Sequence, residues 1–149
     1  MNRIAALIDF TEVTQRVLDF SAEQARANNA ELYLLHVEPR NGPKLYREID
    51  EAERNRIADI LRYEHHDLLA KVAELREHLD IKVHPVLMEG TEVEEAILAE
   101  VKKLKVDHVV LGNHHHSRLH NYFLGSVGHK LMKNLGCPMT LISDKDASG

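Results

Sequence analysis

A doubly wound α/β domain, in which helices flank a sheet of five parallel strands, is the fold class this sequence predicts. Two observations carry the prediction. Short apolar runs of strand length alternate with stretches of helical spacing along the whole chain. The first two runs, Ile4–Ile8 and Leu32–Val37, are separated by one helix-length segment, which makes a βαβ unit with parallel strands and a right-handed crossover.

The elements follow in order. Asp9, Phe10 and Thr11 close the first run, with Thr11 as the expected N-cap and Glu12 favourable in the first turn. The helix beyond carries Leu18, Ser21, Ala22 and Ala25 on one small-residue face, and Asn28-Asn29 is expected to end it in a left-handed turn. After the second strand, bounded by Glu38-Pro39, the polar PRNGPKL connection should lie on the surface. Ile57, Ile60, Leu61, Leu68, Val72, Leu75 and Leu79 then mark one long amphipathic helix whose solvated face includes His65-His66. Ile81–Met88 reads as a third strand, and Pro85 within it predicts an edge position. Thr91 and Glu94 have capping-box spacing ahead of a stripe of Val93, Ile97, Val101 and Leu104. Val109–Leu111 is the fourth strand, ending at Gly112, and a helix from Ser126 carries Val127, Leu131 and Leu135 before Gly136 stops it. Met139–Ser143 is the fifth strand. Residues 1–144 thus make one domain and 145–149 a polar tail.

Bulk properties narrow the function classes. A net charge of -5 argues against a broad grip on nucleic acid or an anionic membrane. No apolar run is long enough to span a bilayer and the start of the chain lacks a signal-peptide pattern, so a cytoplasmic location is expected. The lone Cys137 cannot form an internal disulfide and reads as a packing residue.

The chemistry concentrates between Asp107 and Val127, in DHVVLGNHHHSRLHNYFLGSV. Strand, polar loop, Gly125-Ser126 and helix form the layout of an anion site. The first N–H groups of a helix lack intrahelical partners and sit at the positive end of its dipole. In a doubly wound sheet the ligand belongs at the carboxyl ends of the strands, where the winding reverses. If that reversal falls between the first and fourth strands, Asp9 and Gly112 face one crevice.

Over nearly its whole length the chain resembles the universal stress protein family. The nucleotide-binding members carry a glycine, two residues, a second glycine, nine residues, then glycine followed by serine or threonine. Gly112, His115, Gly125 and Ser126 stand at those positions with the spacing intact, histidine replacing the second glycine. Asp9-Phe10-Thr11 is similar to the family's turn after the first strand, and His36-Val37 to the end of its second.

The resemblance implies a Rossmann-like fold of the adenine nucleotide alpha hydrolase type and a site for ATP or AMP with Mg2+. Its implied site residues are Ile8, Asp9, Val37, Leu111, Gly112, Asn113, His115, Gly125, Ser126 and Val127. Asp9 and Val37 would hold the nucleoside, Gly112 and Asn113 the ribose and phosphate approach, and Gly125, Ser126 and Val127 the phosphates. It also implies a homodimer paired through the last strand, Met139–Ser143, and unidentified protein partners.

Other readings stay open. The family has a branch that acts as a stress dimer without nucleotide, and the His-rich loop resembles that branch. A metal-binding module is suggested by His114, His115, His116, His120 and His129, although adjacent residues rarely all face one ion. No nucleophile and base assemble into a catalytic set, and without a Walker lysine motif the most the sequence supports is a slow ATPase. A response regulator would need an acidic cluster for magnesium, and an ATP pyrophosphatase a Ser/Gly-rich loop after the first strand; neither is visible.

Overall fold

A computed structural model describes the backbone of residues 1–8, 13–39, 66–77, 80–90, 93–113 and 125–143, and the side chains of these residues except 37–39, 89–90, 93, 113 and 125–129. The elements are β1 (Arg3–Leu7), α1 (Thr14–Asn28), β2 (Glu31–Pro39), a helix α2 over residues 66–77, β3 (Val83–Gly90), α3 (Val93–Lys103), β4 (His108–Asn113), α4 (Gly125–Asn134) and β5 (Met139–Ser143). All strand pairs are parallel, in the order β3-β2-β1-β4-β5. The order runs outward from β1 first on one side and then on the other, so the reversal falls between β1 and β4.

Two cores follow from the period-2 alternation of strands buried on both faces. On one face Ile4, Ala6, Leu32, Leu34 and Val110 pack with Val17 and Leu18 of α1 and with Leu68 and Val72 of α2. On the other, Ala5, Leu7, Leu35, Val109 and Leu111 pack with Ile97 and Val101 of α3 and Leu131 of α4. β3 lies at an edge with Pro85 in it, where the missing N–H costs no ladder bond.

Helix ends show where the chain chemistry is decisive. α1 begins at Thr14 after Val13, which makes no side-chain cap; Thr11, the expected cap, lies outside the described residues. Its far end closes at Asn29, in the left-handed region (φ 51°, ψ 43°), with Ala30 N–H donating to Ala25 O at 2.8 Å. This is a Schellman closure on asparagine, one of the few non-glycine residues that tolerates it. α3 ends the same way on Lys105 (φ 54°), with Val106 N–H donating to Val101 O at 3.0 Å.

The amino edge of the sheet is tied across β1 and β4. The Asp107 carboxylate accepts from Asn2 N–H at 2.8 Å and Arg3 N–H at 3.3 Å, while Arg3 Nη1 donates to Leu104 O at 2.9 Å.

Two corrections to sequence expectation concern strand lengths. β4 continues through Gly112 to Asn113, since Gly112 pairs with Ile142 and Asn113 with Ser143. β2 likewise runs past Val37 to Pro39, pairing with β3 as far as Gly90. A parallel neighbour supplies ladder partners that apolar pattern alone does not reveal.

Candidate functional site

Parallel pairing brings the carboxyl ends of β2, β1 and β4 side by side. Leu7 lies opposite Leu35 and Ala6 opposite Val110, so Ile8, Val37 and the Gly112-Asn113 pair emerge on one edge. α4 returns the chain from β4 to the parallel β5, so its first residues, Gly125, Ser126 and Val127, open on that same edge. The expected members Asp9 and His115 lie outside the described residues, as do Phe10 and the loop histidines His114, His116 and His120.

Several of these residues have their side chains buried in the core and offer only backbone to the edge. Ile8 is 1% exposed and belongs to the α1 core, while Leu111 is 0% exposed and belongs to the α3/α4 core. Gly112 is buried under α1: a Cβ there would meet Val13 Cγ1 at 2.4 Å and Val17 Cγ2 at 3.3 Å. Close approach of a helix therefore requires glycine at 112 before any ligand is considered.

One residue of this edge was quoted from the sequence only as part of a strand end. His36 is 2% exposed, and its Nδ1 lies 2.6 Å from the carbonyl oxygen of Ile8. A carbonyl only accepts, so Nδ1 carries the proton and donates. The available signal was a histidine inside an otherwise apolar run, since a buried polar side chain needs a partner.

A second polar contact sits behind the helix start. Glu94, 8% exposed in the first turn of α3, receives Lys130 Nζ of α4 at 2.8 Å. The pair ties the first turn of α3 to the second turn of α4. Thr91, the expected capping partner of Glu94, lies outside the described residues.

At the opposite edge of the sheet, a concavity of about 400 Å³ between α3 and α4 is lined by Leu98, Val101, Val106, Leu135 and Cys137 with Lys102 and Lys105. Burial, and then the Asp107 carboxylate, push the Cys137 thiol above its ordinary value. The thiol is thus a poor nucleophile, as its reading as a packing residue requires. No cluster of three or more His, Cys, Asp or Glu able to hold a metal occurs among the described residues, and the His-rich loop lies outside them. Nor is any helix among the described residues long and apolar enough to cross a membrane.

A parallel sheet with its reversal between β1 and β4 and a helix start at that reversal defines the doubly wound α/β class. A model of the universal stress protein family matches residues 1–143, and the chain belongs to that family. It is 31% identical over 86 residues to universal stress protein MJ0531 of Methanocaldococcus jannaschii, an alignment covering 58% of this chain and half of the relative. Among solved structures it is similar in fold to the universal stress protein of Archaeoglobus fulgidus in complex with dAMP (TM-score 0.65, 20% identity, 95% of this chain and 97% of that one). It is also similar to a universal stress protein in complex with cAMP (TM-score 0.62, 16% identity, 97% and 98% covered).

Proposed function

We propose that this chain is a cytoplasmic stress-response module that binds an adenine nucleotide, AMP or ATP with Mg2+, as a regulatory ligand. One observation carries the reading. The ends of β1, β2 and β4 and the start of α4 share one edge at the sheet's reversal, in a family with members solved holding dAMP and cAMP.

In this reading Asp9 accepts from the ribose and the Val37 backbone meets the adenine. Gly112 and Asn113 bound the approach to the phosphates, which rest on the N–H groups of Gly125, Ser126 and Val127. N–H groups at a helix start lack intrahelical partners, so in this reading they receive an anion without breaking a helix bond. Turnover is slow or absent, because the loop offers no lysine of the Walker type.

The working unit in this reading is a homodimer through β5. That strand forms one edge of the sheet, and Leu141 on it is 46% exposed. An apolar edge with open ladder groups favours pairing with an identical edge.

A second reading, a stress dimer that works through protein partners without nucleotide, is favoured by His115 in place of the motif glycine. Calorimetric titration of the full chain with Mg-ATP, beside His115→Gly, separates the two. Binding by the native chain supports the nucleotide reading. Binding by the variant alone, or by neither, transfers the function to the dimer surface.

A further inference from the structure

Ile8 is gripped at both of its backbone polar atoms by consecutive residues of β2. Its N–H donates to Leu35 O at 2.8 Å, and its carbonyl accepts from His36 Nδ1 at 2.6 Å. The second bond is made by a side chain that is 2% exposed, on the face of β2 that also carries Leu32 and Leu34. An aliphatic residue would fill such a position without the cost of desolvating an imidazole. Histidine brings to this position a donor aimed at the Ile8 carbonyl, which an aliphatic cannot supply.

That carbonyl belongs to the peptide unit leading into residue 9. Because a peptide unit is planar, holding its oxygen also fixes the orientation of that peptide unit at the end of β1. His36 is also the immediate neighbour of Val37 in β2. The bond therefore fixes two strand ends against each other, the one from which Asp9 departs and the one that holds the Val37 backbone.

We infer that His36 is a positioning residue of the ligand site. With its proton on Nδ1, it locks the Ile8 carbonyl and so holds the carboxyl end of β1 at a set separation from the end of β2, the two strand ends beside which a nucleoside is received in that reading. This inference rests on the nucleotide reading above. It adds to it a residue that touches no ligand yet decides how well the slot is preformed, which is where affinity is gained without new contacts.

The test uses side chains that imitate one ring nitrogen each. The amide of asparagine lies where Nδ1 does, whereas that of glutamine reaches the position of Nε2. His36→Asn and His36→Gln are titrated with Mg-ATP under conditions where each is folded by circular dichroism, and the native chain's imidazole tautomer is read from long-range 1H–15N spectra. An Nδ1–H tautomer, with His36→Asn within about threefold of native affinity and His36→Gln weaker by about tenfold, is expected for one lost buried hydrogen bond.

An Nε2–H tautomer, or equal losses in both variants, overturns the inference while native binding stands. Absence of Mg-ATP binding by the native chain overturns the nucleotide reading and the positioning role with it. Failure of both variants to fold also overturns the inference, since His36 then serves the stability of the strands and not the site.

Discussion

A Cβ built on Gly112 would lie 2.4 Å from Cγ1 of Val13, the residue that leads into α1, so alanine at 112 must push either β4 or the start of α1 aside. Gly112→Ala is expected to cost about 1–3 kcal/mol of stability by urea unfolding, the usual range for overpacking a tight core. Val13→Ala in the same chain should relieve part of that loss, so the double variant falls short of the sum of the single ones. Strict additivity would show that the contact is not what demands glycine. From the sequence this glycine was legible as a motif member, but its packing partner was not, because Val13 and Gly112 are brought together only by the fold. Asn29 was legible as a helix stop because asparagine visits the left-handed region at small cost. Lys105 takes the same conformation with no such signature, so no local rule could find it. His36 and Asp107 were missed for the same reason as the packing of Gly112. Their partners, the Ile8 carbonyl and the Asn2 and Arg3 amides, lie far away in sequence.

Strands and helices were the most readable level, since their burial periods depend on near neighbours alone. All five strands stand where apolar runs predicted them, and the third lies at an edge as Pro85 required. The bonds that tie one element to the next were not readable, and the junction of β4 with β5 gives one that can be tested. His108 Nε2 lies 2.7 Å from Thr140 Oγ1 across these two strands. Burial lowers the His108 pKa below its ordinary value; the Asp107 carboxylate opposes the shift and the N-terminal charge adds to it. The unfolded chain therefore takes up the proton first on acidification. The stability contributed by neutral His108 is complete above about pH 6.5, the ordinary histidine value, and is lost as pH falls through that value toward the lower folded-state pKa. His108→Gln should flatten this part of the pH dependence, measured by urea unfolding at about pH 7.5 and pH 5.5. An unchanged slope would assign the acid sensitivity to other groups.

At the scale of the molecule, the strand order β3-β2-β1-β4-β5 leaves two unlike edges. β3 is interrupted by Pro85, which cannot donate to an added strand. β5 has no proline and carries the half-exposed Leu141, so the proposed self-pairing belongs there. Leu141→Lys would bring two like charges together across such an interface, and light scattering should then report a monomer where the native chain gives a dimer. A variant that stays dimeric would remove β5 from the interface. Both edges follow from winding order, which the alternation of elements constrained. The occupant of the crevice does not follow from it, because one topology serves many ligands.

In the proposed reading the carboxyl edge at the β1/β4 reversal receives an adenine nucleotide. The most direct measurement of it is the Mg-ATP titration followed residue by residue in 1H–15N spectra of the native chain. Saturable shifts are expected at the amides of Ile8, Val37, Gly112, Gly125 and Ser126, with Arg3, Glu31 and Val83 at the amino edge unmoved. Shifts confined to the amino edge, or no saturable shift at all, would contradict it.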